Sequence, residues 1–174
     1  MNDCLFLVVG ESGSGKTTIV ENICAKHGCT AIQSYTTRAK RTPHERGHRF
    51  VSVDEMPPQD EMVAYTHYNG HHYWATQKDA DENDFYIIDP QGLDFFFDHY
   101  RGNKTVYVVY LTATEPNRFL RMRARGDDIQ KALDRIFLDR KEFFVFPYDI
   151  KFVNDDLTEC EDSVFRYVQW AKGG

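Results

Sequence analysis

The chain has 174 residues, 41% of them apolar and 28% charged, which is typical of a water-soluble globular domain with one core. Its net charge of −6 argues against broad binding to duplex nucleic acid, and no apolar run reaches the roughly 18–20 residues of a membrane helix. The start MNDCLFLVV does not have the pattern of a signal peptide, and four scattered cysteines fit a reducing compartment, so we expect a cytoplasmic protein.

Short apolar runs alternate with amphipathic segments along the chain. The run 4–9 predicts a strand buried on both faces, and 17–26 predicts a helix that Gly28 ends. Further strands are predicted at 30–33, 85–89, 105–111 and 149–153, and further helices at 92–100, 115–125, 128–144 and 157–171. Residues 62–74, with Asn69-Gly70 inside them, predict a β-hairpin. This order indicates an α/β fold with a mostly parallel sheet and a β-rich insert.

A glycine-rich loop follows the first strand and precedes the first helix. Its sequence fits G-x-x-x-x-G-K-[ST], and the candidate nucleotide-binding residues are Gly10, Glu11, Ser12, Gly13, Ser14, Gly15, Lys16, Thr17 and Thr18. Glycines allow successive backbone N–H groups to surround an anion, and the helix dipole adds to the attraction. Lys16 is suited to bridge the β- and γ-phosphates of ATP, and the Thr17 hydroxyl to bind Mg²⁺. The motif predicts a nucleoside triphosphate site and leaves GTPase, ATPase and kinase activities open.

A second basic site is suggested by Arg38 and Arg41, which lie three residues apart beside hydroxyl residues. Guanidinium groups suit bidentate binding of one phosphate, such as the acceptor phosphate of a small-molecule kinase. A solvated basic loop explains the same spacing equally well.

The segments SYTTRAKR, ERGHRFVSVDE, NGHHYW and IIDPQG follow the P-loop, and RMRARGDD and KFVNDD come later. In this order they resemble the guanylate kinase family over nearly the whole chain, as a shortened and divergent member. The resemblance implies a P-loop NTPase three-layer sandwich that forms a single domain, 1–174. It implies a core at 1–33, 84–115 and 145–174, a monophosphate-binding insert at 34–83 and a helical lid at 116–144.

The resemblance also implies transfer of the ATP γ-phosphate to a nucleoside monophosphate, GMP or dGMP, with Mg²⁺. It assigns the acceptor phosphate to Arg38, Arg41 and Tyr73, with His48 as the nearest match to a further phosphate-binding position. Ser34 and Asp89 match two residues that read guanine, Arg121, Arg125 and Arg135 match lid arginines, and Asn154 matches a residue near the donor adenine. Lys16, Arg38 and the three lid arginines are thus the candidate catalytic residues. Asp89 also ends a Walker B-like strand, so a role in binding Mg²⁺ and a purely structural role at the strand end both stay open.

Several positions depart from the family pattern. Ala64 occupies the place of an acid that reads guanine, and Trp74-Ala75 replace the Gly-Thr that follows the phosphate-binding tyrosine. Loss of a base-reading group relaxes discrimination between bases. An altered or broad base preference, a sugar-phosphate kinase and a non-catalytic protein-interaction module therefore remain alternatives. Trp74 either stacks on the base or fills the core.

Overall fold

Strand β1 (Cys4–Val9) is apolar at every position and almost completely buried, so other elements cover both of its faces. A computed structural model describes residues 3–40, 43, 47–68 and 70–174. In it, β1 pairs in parallel with β6 (Phe85–Ile87) and with β7 (Thr105–Thr112), which pairs in turn with β8 (Ile150–Val153). The resulting four-stranded parallel sheet has the order β6-β1-β7-β8 and confirms the predicted α/β class.

The two faces of β1 pack against different layers because side chains alternate along a strand. Residues 4, 6 and 8 join the core formed with helices α1 (Lys16–His27) and α6 (Leu157–Ala171). Residues 5, 7 and 9 join a second core with helix α3 (Pro90–His99) and part of a second sheet. One strand thus supports both sides of the molecule.

The second sheet comprises β2 (Tyr35–Thr36), β3 (Arg49–Phe50), β4 (Met62–Tyr68) and β5 (His71–Thr76), in the order β3-β2-β5-β4. Strands β4 and β5 form the predicted antiparallel hairpin.

Trp74 of β5 is only 1% exposed, and its ring stacks on that of Tyr35 with centroids 5.4 Å apart. Of the two interpretations of this residue, the structure therefore favours core packing. The 3₁₀ turns Val53–Glu55 and Gln59–Glu61 lie on the segment that leads from β3 to β4.

Helices α4 (Glu115–Ala124) and α5 (Ile129–Glu142), which we call the lid helices, pack on each other through a small apolar cluster. That cluster contains Met122 of α4 and Ala132 and Ile136 of α5. Within the described ranges, no helix is long and apolar enough to cross a membrane. All four cysteines are free thiols.

Two predicted elements need correction, and one helix was missed. The strand predicted at 30–33 is wrong, because only Ala31 forms a β-bridge there, with Phe85. The strand predicted at 85–89 ends at Ile87, and Asp89 instead caps α3. Helix α2 (Gln77–Glu82) was not predicted, although Thr76 and Asp79 form a capping box at its start. The division into core, insert and lid remains a proposal.

We expect Phe6→Ala to lower the free energy of unfolding by about 3–5 kcal/mol, because Phe6 is fully buried among Phe85, Tyr107 and Tyr167. Urea denaturation followed by circular dichroism measures the loss. The control is Phe144→Ala, at a side chain that is 83% exposed, with an expected change within about 0.5 kcal/mol. Equal losses in the two variants would contradict the central role of β1.

Candidate active site

The glycine-rich loop begins directly after β1 and ends at the first turn of α1. Its glycines are required by close contacts: a Cβ atom on Gly10 would lie 1.9 Å from the carbonyl oxygen of Leu111. Gly13 has a φ of +78°, and a Cβ atom there would lie 2.7 Å from the carbonyl oxygen of Arg118. The loop is therefore fitted tightly between β7 and α4.

Lys16 is half-buried, and its side chain folds back onto the loop. Its Nζ donates to the carbonyl oxygens of Gly10, at 2.5 Å, and Glu11, at 3.0 Å, and lies 3.5 Å from the Ser14 hydroxyl. Burial lowers the pKa of Lys16 to about 8, while the carboxylates of Asp139 and Glu11 oppose that shift. In this structure the ammonium group is held by backbone carbonyl oxygens of the loop. A phosphate group, which carries a full negative charge, would bind it more strongly.

Glu11 is a buried acid within the loop. Its Oε1 accepts hydrogen bonds from the Tyr110 hydroxyl at 2.7 Å and the Thr112 hydroxyl at 3.1 Å, and lies 3.8 Å from Nη1 of Arg118. Burial, together with this hydrogen bond to Glu11, raises the pKa of Tyr110 to about 12. The sequence motif treats this position as variable, so the motif does not predict the role of its carboxylate.

A buried ion pair joins the loop to the lid helices. Arg118 of α4 and Asp139 of α5 pair with each other, with 3% and 0% of their surfaces exposed. Arg118 Nε donates to the carbonyl oxygen of Ser12 at 2.9 Å, and Asp139 Oδ2 accepts from the Ser12 backbone N–H at 2.9 Å. Glu11, Arg118 and Asp139 are named the loop charge cluster below.

The sequence carried a signal for this cluster that the prediction missed. Asp139 follows Ala132 and Ile136 at helical spacing, on the buried face of α5. Arg118 lies four residues before the buried Met122 of α4. A charged residue at an otherwise apolar helical position indicates a buried partner.

A cleft of about 820 Å³ lies between the loop, the lid helices and the second sheet. It brings together seven of the predicted site residues, namely Ser12, Ser34, His48, Tyr73, Asp89, Arg125 and Arg135. Arg125, which directly follows α4, and Arg135 of α5 thus share one cavity with hydroxyl and carboxylate groups from the sheet side. Such a cavity suits an anionic ligand that also carries polar groups for hydrogen bonding.

The sheet side of the cleft contains two polar anchors. The Ser34 hydroxyl donates to the Tyr86 hydroxyl at 3.2 Å, and burial raises the pKa of Tyr86. Asp89 Oδ1 accepts from the N–H of Gly92 at 2.6 Å, which makes the residue a helix cap as well as a cleft residue. Ala64 also lines the cleft and offers no hydrogen-bonding side chain there. Sequence reasoning did not single out Tyr86 or Thr66, which lines the same wall.

Other predicted residues lie elsewhere. The guanidinium group of Arg38 donates to the carbonyl oxygen of Ala39 at 2.9 Å and lies 5.2 Å from the ring centroid of Phe50. Thr17 and Thr18 are exposed at the start of α1. Arg41, predicted to hold the acceptor phosphate, lies outside the described residues.

Two further predicted residues form hydrogen bonds with the backbone of the loop. Arg121 Nη2 donates to the carbonyl oxygen of Asn154 at 2.7 Å, and its Nη1 lies 3.3 Å from the carbonyl oxygen of Gly13. The Asn154 side chain donates to the carbonyl oxygen of Ser14 at 2.8 Å and is almost fully buried. In this arrangement both residues bind the backbone of the loop rather than line the cleft.

A buried parallel strand, a glycine-rich loop that encloses a lysine, and a helix define a P-loop nucleotide-binding protein. A family model described as "AAA domain" matches residues 7–139, from β1 to α5. The chain belongs to this P-loop family.

Curated proteins similar to this chain include guanylate kinases. That of Nitrosomonas europaea is 27% identical, with 95% of this chain and 89% of the relative covered, and that of Pseudoalteromonas translucida is 29% identical, with 92% and 85% covered. The crystal structure of guanylate kinase from Anaplasma phagocytophilum covers 99% of this chain and 89% of its own, at 20% identity and a TM-score of 0.65. The resemblance to the guanylate kinase family is therefore confirmed, and the solved structure supports the fold.

The lowered pKa of Lys16 predicts that affinity for ATP falls as the pH rises above about 8. Above that pH the free protein holds a neutral amine, which must take up a proton before it can pair with phosphate, so the affinity drops by up to about tenfold per pH unit. Isothermal calorimetry with Mg·ATP between pH 6.5 and 9.5 measures this. In Lys16→Met we expect weaker binding without that dependence. An affinity for the unmodified protein that stays constant up to pH 9.5 would contradict the assignment.

Proposed function

We propose that the protein transfers the γ-phosphate of ATP to a nucleoside monophosphate, with GMP or dGMP as the acceptor. The observation that carries the proposal is the cleft, in which lid arginines and the P-loop residue Ser12 lie opposite Ser34, Tyr73 and Asp89. The triphosphate of ATP, bound to the loop, and the acceptor monophosphate, bound on the sheet side, would meet in this cleft next to Arg125 and Arg135. The guanylate kinase relatives support the same activity.

The proposed phosphoryl transfer does not require a general base. A monophosphate oxygen is already anionic at neutral pH, so it can attack the γ-phosphorus in line without losing a proton. Lys16 and the arginines Arg125 and Arg135 would stabilise negative charge on the transferring group. The cleft walls would exclude water, which limits wasteful hydrolysis of ATP.

Mg²⁺ fits this site as a partner of the nucleotide. The described part of the chain contains no group of three or more His, Cys, Asp or Glu side chains that could hold a metal alone. Mg²⁺ commonly takes one or two protein oxygens and completes its shell with phosphates and water, and the exposed Thr17 hydroxyl at the start of α1 is such an oxygen. When bound, the ion neutralises charge on the phosphates.

The base preference of the acceptor rests on few groups. The Ser34 hydroxyl suits the O6 atom of guanine, and the Asp89 carboxylate suits the N1–H and N2–H donors. Ala64, on the same cleft, supplies no third contact. This observation favours a second candidate function, a monophosphate kinase with a broader base preference, since fewer polar groups are left unpaired by the wrong base.

An ADP-release assay with ATP, Mg²⁺ and a panel of GMP, dGMP, IMP, AMP, CMP, UMP and dTMP tests the proposal. We expect release that depends on GMP or dGMP, and IMP as the next best acceptor, because it lacks only the N2 amino group. Comparable rates with AMP and the pyrimidine nucleotides would favour the broader enzyme. A sugar phosphate as the sole effective acceptor, or no acceptor-dependent release at all, would refute the proposal, and the last result would favour a protein-interaction module.

The variant Asp89→Asn distinguishes a role of Asp89 in binding the guanine base from a role in binding Mg²⁺. The amide oxygen can still cap α3, but the amide cannot accept both donors of guanine, so we expect KM for GMP to rise about 10- to 100-fold with a small change in KM for ATP. Asp94→Asn, at an exposed position on the same helix, is the matched control and should leave both KM values unchanged. A loss confined to kcat that Mn²⁺ partly restores would instead indicate that Asp89 binds the metal.

A further inference from the structure

We propose that Asp139 is a positioning residue for phosphoryl transfer, which holds the lid arginine Arg135 in its working orientation. The inference rests on the proposed kinase function, which assigns no role to Asp139.

Arg135 is fixed through its Nε atom. This atom donates to the Ser12 hydroxyl at 2.7 Å and lies 3.3 Å from Oδ1 of Asp139, one helical turn away on α5. The side chain is 40% exposed and lines the cleft, so a free arginine there would sample many rotamers. With Nε engaged, the remaining two nitrogen atoms of the fork are left for a phosphate.

Ser12, the second anchor of Arg135, is itself held by the loop charge cluster. Asp139 Oδ2 accepts its N–H at 2.9 Å, and Arg118 Nε donates to its carbonyl oxygen at 2.9 Å. Besides its pair with Arg118, Asp139 therefore makes two contacts that converge on Arg135, one directly and one through Ser12. The same contact commits the Ser12 N–H to a protein carboxylate rather than to a ligand phosphate.

Stability alone does not account for the buried pair. An apolar pair of similar volume generally stabilises a fold as well as a buried ion pair does, because charges lose solvation on burial. Asp139 also balances charge beside the phosphate site, where three cations, Lys16, Arg118 and Arg135, face two anions, Glu11 and Asp139. A carboxylate at this position keeps Arg135 near the loop without a ligand phosphate to attract it.

A double-mutant cycle on kcat tests the proposal. Asp139→Asn keeps the shape and the acceptor for Ser12 but removes the charge, and we expect kcat to fall about 10- to 100-fold with KM for ATP within about threefold. In Arg135→Ala, which lowers kcat at least as much, adding Asp139→Asn should lower kcat by less than about threefold more. Losses that multiply in the double variant would overturn the proposal.

Two further variants separate positioning from folding. Asp134→Asn changes an exposed aspartate on the same helix, which accepts only from Gln130 in the contacts described, and should leave kcat unchanged. Arg118→Met/Asp139→Leu replaces the buried pair by apolar side chains, and we expect a folded protein whose kcat per folded molecule is as low as that of Asp139→Asn. A folded double variant with kcat near that of the unmodified protein would overturn the proposal.

Failure of the kinase function would be recognised separately, because the unmodified protein would then phosphorylate no monophosphate. The same cycle would in that case be measured by calorimetry as affinity for ADP with aluminium fluoride, which mimics the transferring phosphoryl group rather than bound ATP. We expect Asp139→Asn to weaken binding about tenfold, and to have less than a threefold effect once Arg135 is alanine. Independent effects on affinity would overturn the role of Asp139 whatever the reaction.

Discussion

The ion pair between Arg118 and Asp139 ties the glycine-rich loop to both lid helices. Burying a guanidinium and a carboxylate is costly unless their hydrogen bonds are made, and here the two groups bind opposite sides of the Ser12 residue. Neither lid helix can shift without breaking one of these bonds and leaving a charge unpaired. The conformation of the loop and the location of the lid helices are therefore set together, and the cleft takes its shape from both.

Local patterns predicted much of the fold. The apolar run of β1, the loop motif and the Asn-Gly hairpin each depend on neighbouring residues, and the structure places those elements where they were expected. The strand predicted at 30–33 does not form, because a strand needs a paired neighbour along its whole length. Here only Ala31 pairs with β6, through Phe85. Helix α2 has six residues, too few for a clear periodic signal, and its capping box was the only evidence in the sequence.

The candidate site was predictable where a residue belongs to a short, recognisable sequence motif. Ser34 directly precedes β2 and Asp89 directly precedes α3; the family resemblance indicated both residues, and both line the cleft. The conformation of Arg38 depends on Phe50, twelve residues away, and the loop charge cluster depends on contacts across more than a hundred residues. Long-range contacts of this kind leave only an indirect trace in a sequence, such as an aspartate on an apolar helix face.

The stacked pair Trp74 and Tyr35 has a practical consequence for spectroscopy. The chain contains two tryptophans, and the other, Trp170 of α6, is 63% exposed. Iodide should quench the emission of Trp170 and spare that of Trp74, whose indole is enclosed in the second sheet. The unquenched, blue-shifted emission would then be a native optical reporter of the second sheet, free of any introduced label.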